Sequence, residues 1–429
     1  MEKFKREKIA NGVHFSTIYD DRFKTSDILV AFQIGLDENA VNNTAAAWLL
    51  TRSCKDYPSF RKFNQKLQSL YSADVVSSTS KIGDSQLVII TATCINDEYA
   101  LHGESICEET ANLLCKIIFE PNEENEEFSA EDFKQEKRQL KENLESQFND
   151  KRVYANIKAG ELMYKGDKYS INLSGTEEKI ENLTSGCVYR SYKDMIDSAR
   201  VEIICIGSND TDGVKKVFAE KFAHRSGNIE NCKTKIFETS GEVKNHVERT
   251  EVTQSKLIMG FSSGCAIGIS TEEELAAARL MSAVLGGTAH SKLFNNVREK
   301  LSLCYYCMSS LDLYKGTLKV ESGVESENIQ KTKDAVLKEI EDMKNGVISD
   351  EEIASAKLSI INFFTTSVDS AKGTQSWYLS EILKGTNISV EERSKMVNAV
   401  TKEQVIEMAK KLVLDTVYVL TGTEDNEDE

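Results

Sequence analysis

The sequence predicts an α+β fold of two duplicated domains, each a largely antiparallel sheet with helices packed on one face. Three observations carry this expectation. Strand-like and helix-like runs are grouped rather than strictly alternating. The two halves of the chain repeat one order of elements. At 429 residues the chain is too long for one small core, so two domains of ordinary size are expected.

The repeat can be followed element by element. Each half opens with a strand-like run, 27–35 and 255–261, and an Ala/Leu-rich helical stretch follows, 44–52 and 271–285. Next come F-R-K-F-N-Q-K-L-Q-S-L-Y (60–71) and S-K-L-F-N-N-V-R-E-K-L (291–301). These lead into the strands G-D-S-Q-L-V-I-I-T-A-T (83–93) and K-G-T-L-K-V-E-S-G (315–323). Both halves close on a threonine-capped helix and a β-rich strand ending in glycine, Thr184 to Gly207 and Thr401 to Gly422. Gln404, three residues after Thr401, completes a capping-box spacing, and Glu274 after Thr271 repeats it. Gly, Ser and Asn cluster over 226–241, where apolar periodicity fades. The expected organisation is a first domain over 1–225, a linker over 226–241, a second domain over 242–423 and an acidic tail over 424–429.

Lys and Arg number 53 against 69 Asp and Glu, a formal charge of −16. That balance repels phosphate backbones and argues against nonspecific nucleic-acid binding. The acid is partly local, at 120–132 and 424–429, both read as solvated segments. The opening M-E-K-F-K-R-E-K lacks the apolar stretch of a signal peptide. No apolar run approaches the roughly 20 residues that span a bilayer. Ten cysteines at irregular spacings read as reduced core thiols, and a cytoplasmic location follows.

No helical metal motif is present. The five histidines, His14, His102, His224, His246 and His290, never fall within one helical turn of each other, whereas two ligands on one helix must stand at i and i+4 to share a metal. Cys304-x-x-Cys307 lies where extended chain is expected, so its thiols should face opposite ways. Gly260-Phe261-Ser262-Ser263-Gly264 has the G-x-S-x-G spacing of a nucleophile elbow, which needs a sharp strand-to-helix turn; the next helix is expected only after Thr271. Gly286-Gly287 follows a helix rather than opening one, and so reads as a helix C-cap with a left-handed residue.

The segment 285–306, L-G-G-T-A-H-S-K-L-F-N-N-V-R-E-K-L-S-L-C-Y-Y, is the most distinctive of the chain. Leu293, Phe294, Val297 and Leu301 share one face at helical spacing, with Arg298 beside them. Taken alone, Arg298 is a surface charge and Tyr305 a core-edge residue. The order helix, Gly-rich loop, S-[RK]-L-F and R-E-K-x-x-L-x-Y nevertheless resembles the second-half pattern of the insulinase/pitrilysin-like metallopeptidases, processing-peptidase type. In the first half, I-F-E-P (118–121) and F-S-A-E-D-F-K-Q-E-K-R-Q-L-K-E-N-L (128–144) resemble that family's third-ligand helix. S-C-K-D-Y-P-S (53–59) resembles the loop after its H-x-x-E-H helix.

The resemblance implies that the H-x-x-E-H positions fall on Thr44, Ala47 and Trp48, and the third ligand on Asn143. It therefore implies no zinc in this chain, no peptidase activity of the chain alone, and half-clamshell architecture. It further implies a zinc-bearing partner with H-x-x-E-H, forming a heterodimer that processes peptides. Arg298 would hold a substrate carbonyl and Tyr305 would donate to the oxyanion, in trans to that partner, with Gly286 and Gly287 admitting the substrate backbone. The family spacing selects Tyr305 over Tyr306. A non-catalytic peptide-binding or scaffold subunit is the alternative, and a serine hydrolase using Ser262 is the third.

Overall fold

The computed structural model describes residues 3–230 and 232–423, so the expected acidic tail, 424–429, lies outside the described residues. The chain forms two compact units. Unit 1 takes residues up to 146, 171–233 and 367–385; unit 2 takes 147–170, 234–366 and 386 onward. Each unit thus borrows one short stretch from the other half of the sequence. No described helix is long and apolar enough to cross a membrane.

The strands of unit 1 are β1 (Lys3–Ala10), β2 (Val13–Tyr19), β3 (Thr25–Gly35), β4 (Asp74–Ile82), β5 (Ser85–Ile95) and β8 (Arg200–Gly207), with a small hairpin of β6 (Glu123–Glu124) and β7 (Glu127–Phe128). The main sheet runs β1-β2-β8-β3-β5-β4 and is antiparallel except between β2 and β8. Its central strands are apolar on both faces, as strands covered on both sides must be. On one face Ile28, Val30, Phe32 and Ile203 pack with helices Ala40–Leu50, Ile106–Phe119 and Ser185–Ser198.

The expectation of helices on one face only is corrected here. The opposite face, built of Leu29, Ala31, Ile204 and Ile206, is covered by Ala371, Tyr378, Leu379 and Ile382 of helix Ala371–Lys384. Gln375 on that helix donates through Nε2 to the carbonyls of Asp27 (2.8 Å) and Ile204 (2.9 Å). The tyrosine ring of Tyr378 stacks on Phe4 with centroids 4.5 Å apart.

Unit 2 contains β9 (Lys244–Arg249), β10 (Ser255–Ser262), β11 (Cys304–Asp312), β12 (Thr317–Val324) and β13 (Val413–Thr421), in the order β11-β12-β10-β13-β9. Only β13 and β9 are parallel. This is the order β4-β5-β3-β8-β2 of unit 1 repeated, with the parallel pair at the same place, so the duplication read from the sequence extends to strand topology. The borrowed helix is Lys151–Met163, whose Ala155 and Ala159 pack on Ile258, Tyr418 and Leu420. A Cβ at Gly260 would stand 2.6 Å from the Met163 sulfur, so a side chain there would displace that thioether.

Local signals are borne out at the helix starts. Thr184 accepts from the Cys187 N–H, and Thr401 with Gln404 forms the expected capping box. The acidic run 120–132 is exposed over 123–127 and at Glu131, as expected, but it is not all loop. It holds the β6–β7 hairpin, and Asp132 is buried, accepting from Arg52 Nε (2.8 Å) and Ser53 Oγ (2.6 Å). Replacing the buried ring by Tyr378→Ala should cost about 3 kcal/mol or more in stability, as aromatic truncations in packed cores do. Urea unfolding checks this, and an unchanged midpoint would show that the helix does not close the sheet.

Candidate functional site

Helix Glu272–Ser282 starts with the expected capping box: Thr271 Oγ1 accepts from Glu274 N–H (3.3 Å), and Glu274 accepts from Thr271 N–H (3.1 Å). After Ser282 the backbone widens into a π-helical turn, Ala283–Gly287. The expected left-handed glycine cap is absent, since neither Gly286 nor Gly287 has a positive φ, and the chain leaves extended at Thr288. The reason for Gly286 is steric. A Cβ there would stand 2.6 Å from the Ser309 nitrogen and 2.7 Å from Leu293 Cδ1. Gly286 is buried against the chain's own β11, whereas Gly287 is exposed.

The next segment, Leu293–Lys300, is also π-helical. Leu293 and Val297 are fully buried, but Leu301, expected on the same face, is 53 % exposed. The wider winding, seen where Leu301 N–H donates to Asn296 O, breaks the i+4 spacing. Lys292 anchors the segment from below. It is buried, with its ammonium 3.0 Å from Glu352 and 4.0 Å from Glu339, and Asn296 Nδ2 donates to Glu339 (2.9 Å). Sequence reasoning missed this anchor; the cation in the S-[RK]-L-F pattern was its only signal. Arg298 lies over the Phe294 ring at 4.7 Å, with Nη1 3.4 Å from Glu299, and its side chain is 39 % exposed.

The chain then enters β11, an edge strand of its sheet. Cys304 pairs with Val324 and Tyr306 with Gly323, so Tyr305 is the extra residue of a β-bulge. Tyr305 is 59 % exposed, and its hydroxyl donates to Glu325 Oε1 at 2.5 Å. That carboxylate raises the phenol's pKa and keeps the proton on oxygen. Tyr306 is packed instead. It lies across Gly323, where a Cβ would meet its ring edge at 2.5 Å, and under the Arg152 guanidinium at 4.7 Å. Burial pushes its phenol up to about 12.

The bulge also corrects the reading of Cys304 and Cys307. One extra residue reverses the alternation of the strand, so the two thiols share a face and shift each other's titration. The S–H of Cys307 holds the Cys304 thiol below its ordinary range, with a smaller contribution from the charge of Arg298, while Cys307 is raised.

The positions that the resemblance assigns to metal binding are filled by the chain itself. Thr44 Oγ1 lies 3.0 Å from the carbonyl oxygens of both Ala40 and Leu173. Ser174 Oγ donates to Asn143 Oδ1 at 3.2 Å. Ala47 is fully buried, and Trp48 packs against the core of unit 1. A threonine, an alanine, an indole and an amide do not make the nitrogen, sulfur or carboxylate donor set of zinc. Among the described residues no group of three His, Cys, Asp or Glu could hold a metal ion. The serine-hydrolase reading fails on geometry. Ser262 is paired on both sides within the ladder, to Thr317 and Val413, and the next helix begins only at Glu272. There is no strained strand-to-helix turn to present its hydroxyl.

Residues 182–360 match the family model described as Peptidase M16 inactive domain. Across 96 % of both chains the protein is 27 % identical to the probable inactive metalloprotease YmfF of Bacillus subtilis (strain 168). A conserved protein from Enterococcus faecalis V583 has the same fold, with a TM-score of 0.91 and 28 % identity over 99 % of this chain and 100 % of that one. The peptidase M16 inactive domain from Pseudomonas fluorescens superimposes with a TM-score of 0.81 at 17 % identity, over 98 % of each chain.

Two outcomes follow from this geometry. Cys304 should be alkylated faster than an ordinary thiol near pH 7, and Cys307→Ala should slow it by removing the S–H donor, read by mass spectrometry across a pH series. Gly286→Ala should destabilise by about 1–3 kcal/mol in a denaturant titration, since the added methyl overpacks the junction with β11.

Proposed function

We propose that this insulinase-like chain, in which the resemblance assigns the metal positions to Thr44, Ala47, Trp48 and Asn143, is the non-zinc subunit of a two-chain peptidase. The observation that supports the reading is the bulge in β11, which leaves Tyr305 exposed while Tyr306 stays packed, in the strand that follows the segment bearing the half-exposed Arg298. Arg298 offers guanidinium N–H groups to a carbonyl of an extended peptide and fixes its backbone. Tyr305 offers a hydroxyl that remains protonated at neutral pH, suited to an oxyanion formed on that peptide. A zinc-bearing partner with H-x-x-E-H would supply the activated water, and the pair would act in the cytoplasm.

The non-catalytic alternative also has an observation behind it. The Tyr305 hydroxyl is already engaged by Glu325, and Arg298 by Phe294 and Glu299. In that reading the segment binds a peptide, or nothing, and serves assembly.

Co-purification with a zinc-bearing chain and a quenched-fluorescence peptide assay separates the two. Arg298→Ala and Tyr305→Phe should each lower kcat/KM of the pair by about 100-fold or more, the usual consequence of losing a transition-state donor. Unchanged cleavage in both variants, together with loss of cleavage when this chain is omitted, would favour the assembly role and sink the catalytic one.

A further inference from the structure

A phenol carries a single O–H, whereas an ionised carboxylate and an oxyanion only accept. Tyr305 can therefore serve one such acceptor at a time, and in this structure its proton is already given. The acceptor is Glu325 Oε1 at 2.5 Å, the short end of the range for a hydroxyl bonded to a carboxylate. Glu325 raises the phenol's pKa, first through this hydrogen bond and then through its charge. It keeps the proton on Tyr305 and at the same time aims it away from any other acceptor.

Both ends of the bond stand on fixed backbone. Glu325 directly follows Val324, the last residue of β12, which is paired with Ser255 of β10 on one side and Cys304 of β11 on the other. The next residue, Ser326, has its hydroxyl 3.0 Å from Ser255 Oγ and 3.2 Å from Thr421 Oγ1. The Glu325 carbonyl accepts from Asn328 N–H at 2.9 Å. Tyr305 is the bulge residue between Cys304 and Tyr306, both of them paired in the ladder. The register of β11 and β12 thus sets which carboxylate the hydroxyl meets, and side-chain rotation is what remains to part them. Among the described residues no Lys, Arg or His forms an ion pair with Glu325, so none of these cations competes with Tyr305 for the carboxylate.

We propose that Glu325 is a latch on Tyr305, holding the hydroxyl in a resting state from which it must rotate before it can serve an oxyanion. This rests on the peptidase reading and adds a restraint to it. Glu325 acts through Tyr305 and is a positioning residue. Removing its charge should therefore speed cleavage, the opposite of what loss of Arg298 or Tyr305 does. The engagement of Tyr305 that favours an assembly role is, on this view, the resting form of a working site.

The test has two arms, with every variant first shown to melt like the parent. In the chain alone, NMR of ring-labelled tyrosine follows the Tyr305 resonance, assigned by its loss in Tyr305→Phe, as pH is raised. Glu325→Gln should let the phenol ionise at lower pH, nearer the value of about 10 for an unperturbed tyrosine. An unshifted titration shows that no latch exists and overturns the proposal. In the pair co-purified with a zinc-bearing chain, Glu325→Gln and Glu325→Ala should each raise kcat/KM for a quenched-fluorescence peptide about 3–10-fold. That gain is smaller than a buried charged bond would give, because both partners are exposed. A gain of rate cannot come from misfolding. In a Tyr305→Phe background the same substitutions should change nothing; a gain that persists there means that Glu325 acts on the peptide directly, and it overturns the latch. An equal or lower rate in Glu325→Gln, with Tyr305→Phe still slowing cleavage, overturns the latch and leaves the peptidase reading standing. Unchanged cleavage in Tyr305→Phe overturns both, since a latch needs a hydroxyl that works.

Discussion

A sheet whose central strands are apolar on both faces must be covered twice, and this requirement organises the molecule. Helices of the same half of the sequence cover the first face of each sheet. The second face is closed by one helix supplied from the other half, Ala371–Lys384 in unit 1 and Lys151–Met163 in unit 2. The site inherits its geometry from that arrangement. Arg152, on the borrowed helix of unit 2, pairs with Glu321 and lies on the Tyr306 ring. Tyr306 is thereby committed to the covered face, and the neighbouring tyrosine is the one left facing solvent.

Two departures from regular backbone then shape the segment. The π-helical turns lengthen the path between helix Glu272–Ser282 and β11, at a place where Gly286 brings backbone against backbone. The bulge at Tyr305 adds one residue to an edge strand, where a missing ladder bond costs least because one side is already unpaired. Both features are frequent near functional sites because they re-aim side chains without disturbing the sheet behind them. Lys292 supports the turn from inside the protein. Its ammonium is out of water and so depends on Glu352 and Glu339, which makes the segment's position a matter of charge pairing as well as packing.

Much of this was legible in the sequence because it is local or periodic. Threonine caps announce themselves by spacing, and Thr184, Thr271 and Thr401 all cap as read. The order of elements in the two halves survives as strand order in two sheets. What escaped was set by tertiary contact. The role of Gly286 depends on Ser309, distant in sequence, and not on the helix end before it. Cys304 and Cys307 share a face because of a bulge that leaves no mark in composition. The second cover of each sheet escaped because the buried stripe of a helix such as Ala371–Lys384 includes Thr374, Gln375 and Glu381, which weakens its apolar periodicity, and periodicity alone does not say which sheet it serves.

The borrowed helix of unit 1 also sets an order of events during synthesis. Every strand of that sheet has been made by Gly207, yet its cover is complete only at Lys384. At about 5–20 residues per second, the intervening ~150 residues beyond the first two segments of the unit take roughly 8–30 s to emerge. Throughout that interval Leu29, Ala31, Ile204 and Ile206 face water on a nascent sheet, the kind of surface that chaperones recognise and that aggregates when it meets its own kind.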